Sequence, residues 1–479
     1  MASKKNGEKA GSLGDEGAGK GAERADVPKD KGSDGSDGTD SDDSSGDVDV
    51  DAETAQQLMS LEHELKTQPT YEKHLEYITL LRSTPGLRTR LREAHSAMAA
   101  AFPLSEELWL AAVNDELTAV EGPEDVEALL GLLRTAASRD YLAPRVWELY
   151  LEVAHDLDPA VREHEPAGVE RYRALCEEAL AAAGLHLAAG HTLWEKYRKY
   201  ELAVEAKLAA AAAAGGGKGS GASAASKQQD RLRALYQRQL QVPLQDVSAT
   251  LEEYKAWEAG HGKSVPPHVA KAAEKAREAA DVRAGCEAAV APEQPADVAK
   301  LGAFLSYIKM EQNGGDPARV QVVYERAVAA FPLTHSLWLQ YGQYMETHTK
   351  LPGPMRAVYD RAVRNCPWVA AVWEAAIRCM ERTKASPEEV DELYGRALQA
   401  GLQAPDDYLA VILARIDFLR RAAQAAAAAA AGGGGGAAGK AAAAAASRLR
   451  EAFRSGGELM LSAFPDHLDR QVAAQRGSK

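Results

Sequence analysis

From about residue 55 to residue 465 the apolar positions recur at intervals of three, four and seven, the spacing that lays side chains along one face of a helix. Within that pattern a short motif repeats: an aromatic residue or Leu, a Tyr three residues on, a bulky residue at six and an acid at seven. It reads Trp194, Tyr197, Tyr200, Glu201, then Leu251, Tyr254, Trp257, Glu258, then Phe304, Tyr307, Met310, Glu311, with weaker copies from Trp109 and Trp147. Each copy predicts one amphipathic helix with an aromatic stripe. A second motif follows in VQVVYERAV (320–328), MRAVYDRAV (355–363) and VDELYGRAL (390–398). Its tyrosines Tyr324, Tyr359 and Tyr394 stand 35 residues apart, as do Trp338 and Trp373.

Two helices per period predict an all-α chain, a right-handed superhelical solenoid of antiparallel helix pairs, because each hairpin can bury its apolar face only against its neighbours. Ala327, Ala362 and Ala397 leave room for a neighbouring helix. The prolines of FPL (102–104 and 331–333), VPL (242–244) and CPW (366–368) stop one helix before the next hairpin begins. Trp109, Trp147, Trp194, Tyr197, Tyr254, Trp257, Phe304, Tyr307, Tyr324, Trp338, Tyr341, Tyr359, Trp373 and Tyr394 are read as repeat-signature packing between hairpins rather than as a ligand cage.

The acid at the seventh position (Glu116, Glu201, Glu258, Glu311) falls on the packed stripe, where a carboxylate needs a partner. The Arg two residues after the second-helix Tyr is the obvious cation, which nominates Glu201 with Arg238 and Glu311 with Arg326 as buried pairs. A Tyr hydroxyl or Trp N–H is the alternative partner, and a solvated stripe edge is the bland one. In the repeats of Trp338 and Trp373 the acid (Glu346, Glu381) sits at position eight, about 100° further round, and is expected to be exposed.

Composition divides the chain further. From Asp34 to Glu53 there are nine acids and no base among Ser and Gly, so residues 1–53 are expected to be a disordered acidic tail, read first as solubilising and second as a target of an acid-directed kinase at Ser41, Ser44 and Ser45. The solenoid is assigned to 54–465, with low-complexity insertions at 208–226 and 422–446 expected to be floppy loops or frayed helix, and a disordered end at 466–479. Net charge is -14, the wrong sign for broad phosphate neutralisation. Arg82, Arg88, Arg90 and Arg92 form one compact basic cluster, read first as a solvated face and second as an RNA contact. Cys176, Cys286, Cys366 and Cys379 form no C-x-x-C pair, the N-terminus has no apolar signal region and no segment has the length of a membrane span, which together predict an intracellular, reducing compartment.

No catalytic constellation is found, and no cofactor or metal ligands are assigned. GGGAAGKA (434–441) matches a P-loop except for Ala441 where Ser or Thr should hold magnesium, and polyalanine rather than a strand precedes it. The twelve histidines show no H-E-x-x-H spacing, and neither a G-x-S-x-G elbow nor an RRM aromatic string occurs.

The Trp/Tyr pattern of the first helix and the Y-x-R-A of the second resemble the HAT (half-a-TPR) repeat family of RNA-processing complexes. YITLLRS (77–83), FPLSEELW (102–109), LEEYKAWE (251–258), GDPARVQVVYERAV (315–328), RAVRNCPW (361–368) and DYLAVILARIDFLRR (407–421) are similar to the N-terminal repeat array of the HAT splicing factors that recycle the U4/U6 small nuclear ribonucleoprotein. That resemblance implies a nuclear, non-enzymatic scaffold that binds U4/U6 proteins and docks ubiquitin-specific proteases. Such factors continue with further repeats, a basic localisation stretch and two RRMs, none of which this sequence contains, so RNA annealing and dimerisation are not carried over and only weak RNA binding is expected. Ile412 and Arg415 also depart from the family's Trp and Tyr. Within the class the alternatives are crooked-neck-like or suppressor-of-forked-like scaffolds; outside it, a helical-repeat enzyme subunit such as that of a protein prenyltransferase.

Overall fold

The computed structural model describes residues 50–214, 220–432 and 436–467, and among these residues the regular secondary structure is helical throughout. The helices are α1 (Ala52–Thr67), α2 (Tyr71–Ser83), α3 (Arg88–Ala101), α4 (Glu106–Leu117), α5 (Pro123–Ser138), α6 (Pro144–Leu157), the single turn α7 (Pro159–Arg162), α8 (Pro166–Ala183), α9 (Gly190–Ala214) and α10 (Ser220–Gln239). There follow α11 (Val247–Gly260), α12 (Pro267–Ala289), α13 (Val298–Gly314), α14 (Pro317–Ala330), α15 (His335–Tyr344), α16 (Pro352–Asn365), α17 (Ala370–Arg382), α18 (Pro387–Leu398), α19 (Pro405–Ala431) and α20 (Gly436–Ala463). A wide turn, Met345–Thr349, extends α15. Apart from the single turn α7, successive helices pair as hairpins, and where the motifs occur the Trp-type one lies on the first helix and the Tyr-Arg one on the second; α1 precedes the first full hairpin, α2–α3.

Proline marks beginnings as well as ends. It occupies the first turn of α5, α6, α8, α12, α14, α16, α18 and α19, where its missing N–H would be unpaired in any case. Side-chain caps complete several starts: Asp297 accepts from Lys300 N–H, and Ser386 and Glu389 form a reciprocal capping box. Asp51 caps α1 by accepting from Thr54 N–H, so Ala52 and Glu53 form its first turn instead of ending the acidic tail. Residues 1–49 and 468–479 lie outside the described residues, and Asp466 and His467 sit in a last helical turn.

Of the two forms expected for the insertions, floppy loop and frayed helix, the described residues take the helical one. Residues 208–214 and 220–226 lengthen α9 and α10, and 422–431 and 436–446 lengthen α19 and α20. Alanine has the highest helix propensity, and a run of it attached to an already nucleated helix only has to propagate. The intervening residues 215–219 and 433–435 lie outside the described set.

Aromatic side chains stitch hairpin to hairpin. The second-helix Tyr of one repeat stacks on the position-three Tyr of the next: Tyr236 on Tyr254 at 4.8 Å and Tyr324 on Tyr341 at 4.9 Å between ring centroids. The leading Trp turns its indole N–H back onto the preceding connection, Trp338 to the Pro332 carbonyl and Trp373 to the Pro367 carbonyl, each at 2.7 Å. Gly342 lets α15 and α16 approach, since a Cβ there would stand 2.4 Å from Cζ of buried Tyr359. Trp368 is the exception among the tryptophans, 45% exposed at its turn. Two apolar cores result, one running from Leu58 to Ala276 and the other from Val290 to Met460, and they abut along α12.

Candidate functional site

The repeat motif builds a recurring polar unit. In α16, Arg361 lies over the Trp338 ring of its own hairpin at 5.6 Å and donates both Nη groups, at 2.6 Å each, to Glu325 on the second helix of the preceding hairpin. The Tyr341 hydroxyl donates to the same carboxylate at 2.6 Å. The unit recurs with Glu287, Tyr307 and Arg326 and with Glu177, Tyr197 and Arg238, where Arg238 also covers Trp194. It recurs once more at the start of the array, where Glu62 of α1 accepts from Tyr77 and Arg90, so α1 acts as the second helix of a hairpin. Burial works against charge on Glu62, Glu287 and Glu325, but the neighbouring guanidinium and phenol outweigh it and hold these carboxyls below their usual range. For Glu177 the bond from Arg238 is the largest influence, in the same direction. Burial pushes the phenols of Tyr197, Tyr307 and Tyr341 up, so they stay neutral donors.

This geometry corrects both nominated pairs. Glu201 and Glu311 are buried, yet neither bonds the nominated Arg, although Arg319 of the same hairpin approaches Glu311 at 3.8 Å. Glu201 is gripped by Arg173 of α8 at 2.7 and 2.8 Å and by Gln228, while Arg238 goes to Glu177; Glu311 is gripped by Arg283 of α12 at 2.5 and 2.8 Å, while Arg326 goes to Glu287. The seventh-position acid thus reaches back to the previous hairpin, as do Glu258 to Arg233 and Glu116 to Arg92. Glu258 also accepts from the Tyr254 hydroxyl. Helix direction explains the miss: side chains lean toward the helix N-terminus, which aims these acids across the inter-hairpin seam. Between α18 and α19 the pair is inverted, with Asp391 in the Arg slot and Arg415 in the acid slot, 2.7 Å apart. Glu346 and Glu381 are not left free in solvent either; each is part-buried and pairs with an Arg one hairpin on, Arg382 and Arg421. The signal that sequence reasoning passed over is the acid directly before the Arg in YERA, which pairs forward into the next repeat.

The chain also closes on itself. Asp140, buried between α5 and α6, accepts from Leu104 N–H and Trp109 Nε1–H at 3.0 Å each and from Arg364 of α16 at 2.6 Å. Arg364 donates further to the Ala99 and Phe102 carbonyls, and the Tyr141 hydroxyl donates to Asn365 at 2.5 Å. Hairpins far apart in sequence therefore meet across the array axis, and beside this clasp lies a cavity of about 820 Å³ walled by α12, α14 and the connections before α4, α6 and α9.

Two other sequence features, the basic cluster and the P-loop look-alike, lose their functional reading here. Arg82, Arg90 and Arg92 are paired with Asp115, Glu62 and Glu116, which leaves the basic cluster largely neutralised. Residues 436–441 of the P-loop look-alike lie in α20, behind helix α19. Among the described residues no group of three or more His, Cys, Asp or Glu is placed to hold a metal ion, the four cysteines are free, and no helix is long and apolar enough to cross a membrane.

Comparison with known proteins accords with this architecture. Residues 56–408 match the family described as Suppressor of forked protein (Suf). Curated relatives described as spliceosome associated factor 3, U4/U6 recycling protein, are 30% identical in Homo sapiens and 32% in Danio rerio over 351 residues, 73% of this chain. The chain spans about a third of the length of these relatives, 33% and 35% respectively. With the match covering most of the sequence and the seam-to-seam pairing repeating along it, the chain belongs to the Suppressor of forked protein (Suf) family of HAT-repeat helical solenoids.

Proposed function

We propose that the chain is a nuclear, non-enzymatic scaffold in pre-mRNA splicing, which holds proteins of the U4/U6 small nuclear ribonucleoprotein during its assembly or recycling. The observation that carries this reading is the likeness over 351 residues to U4/U6 recycling proteins. The polar chemistry supports a protein partner over RNA, since Arg groups that could neutralise phosphate are engaged in the seams and the net charge is -14. Ubiquitin-specific proteases belong to the same reading as further docked partners. Affinity purification of the tagged chain from nuclear extract tests it: U4/U6 proteins should co-purify, whereas recovery of 3′-end cleavage factors in their place would move the chain to the 3′-end-processing branch.

A further inference from the structure

We infer that the axial cavity beside the clasp docks a short extended segment of a partner protein that carries Lys or Arg. At about 820 Å³ it falls within the size range of sites that enclose a ligand, roughly 300–1,000 Å³. Its walls are built for close approach of a backbone, because α12 and α14 present Ala280, Ala284, Ala288, Ala329 and Ala330 toward it.

Charge gives the chemistry of the occupant. Of the acids lining the cavity, Glu287 is taken by Arg326 and Asp281 by Arg277, but Glu106, Glu107 and Glu293 have no cation bound to them among the described residues. Of the lining cations, Arg326 is thus engaged, and Lys300 is buried with its ammonium on the Gln294 carbonyl at 2.9 Å, which leaves Arg145 against three carboxylates. Glu106 is held in place by accepting from Arg145 N–H at 2.7 Å, and burial raises its pKa, a penalty that a ligand cation would relieve. Phosphate, itself negative, would meet like charge there.

His186 distinguishes a peptide from a simple polycation. Its Nδ1 accepts the Ala189 N–H at 3.0 Å, which leaves the proton on Nε2, and burial, with Arg326 nearby, pushes its pKa down to about 3, so the ring is neutral. No hydrogen bond to that Nε2–H is formed among the described residues, and because His186 lines the cavity we take this N–H as the donor for a carbonyl of the occupant. A peptide backbone supplies the carbonyl; a polyamine does not.

This inference rests on the reading of the array as a protein-binding scaffold, and its test separates the two. Fluorescence anisotropy of the full chain would use a fluorescein-labelled hexapeptide of alternating alanine and arginine, with an alanine–glutamate hexapeptide for comparison. The arginine peptide should bind and the glutamate peptide should not. Ala284→Trp and Ala288→Trp, at exposed positions whose enlargement fills the cavity without entering a core, should each weaken binding by at least about tenfold, with unchanged thermal melts. Combined Glu106→Gln, Glu107→Gln and Glu293→Gln should do the same, with the acidic 34–53 segment intact in every variant. Binding that is absent, or that survives both tryptophans, would overturn the inference. Co-purification of U4/U6 proteins, measured on the same variants, reports the scaffold reading independently.

Discussion

Successive leading positions Phe304, Trp338, Trp373 and Tyr408 are 34, 35 and 35 residues apart, whereas Trp147, Trp194, Leu251 and Phe304 are 47, 57 and 53 apart. The seams are nonetheless built alike. Arg361 reaches Glu325 across 36 residues at 2.6 Å, and Arg238 reaches Glu177 across 61 residues at 2.7 and 2.8 Å. Repeat geometry is thus set by what each hairpin presents to its neighbour, and chain length between contacts is nearly free, because loop-closure entropy grows only slowly with length. The irregular half takes up its extra residues in lengthened α9, α10 and α12 and leaves the seam untouched.

Breaking a seam should therefore matter in either half. Glu311→Gln, which strands Arg283 at a carboxylate only 2% exposed, is expected to destabilise by about 3–5 kcal/mol in urea melts, against under about 1 kcal/mol for Glu346→Gln, whose partner Arg382 is mostly in solvent. The contact that joins the halves comes next. Arg364→Ala removes a charged hydrogen bond from buried Asp140, so a loss of about 1.5–3 kcal/mol is expected, together with separation of a single calorimetric transition into two. At the inverted seam, Asp391→Arg or Arg415→Asp alone should each lower the urea midpoint, by about 1 kcal/mol in free energy, and the two together should recover most of it. Smallest of all, replacing residues 209–224 by a short Gly-Ser linker should shift stability by less than about 1 kcal/mol, since none of the described residues in that stretch joins a seam pair.

How much of this was legible follows from which interactions are periodic. The solenoid and its aromatic stripes could be read directly, because Trp338, Tyr341, Tyr324 and their equivalents recur at fixed offsets and periodicity reports burial. The seventh-position acids were legible as needing partners, but the partners were not, because offset along one helix says nothing of which neighbouring hairpin a side chain leans toward. Arg326 looked like the mate of Glu311 and instead spans to Glu287. The clasp was invisible for a stronger reason: Asp140 and Arg364 are 224 residues apart, belong to no repeat of one another and meet only when the array has curled. The alanine tracts were legible only in part, because low complexity left loop and frayed helix both open, whereas alanine attached to a packed helix continues it.

The bidentate Arg–carboxylate pairs lock each hairpin to the one before it, while Gln228 on Glu201 and Arg319 near Glu311 add weaker links inside a hairpin. A double-mutant cycle on Glu201 separates the two kinds of contact, with stability measured for Glu201→Gln combined in turn with Arg173→Ala and Arg238→Ala. A coupling energy above about 1.5 kcal/mol is expected for Glu201 with Arg173, which lie 2.7 Å apart across the seam, and below about 0.5 kcal/mol for Glu201 with Arg238 in its own hairpin. Strong coupling to Arg238 with none to Arg173 would contradict it.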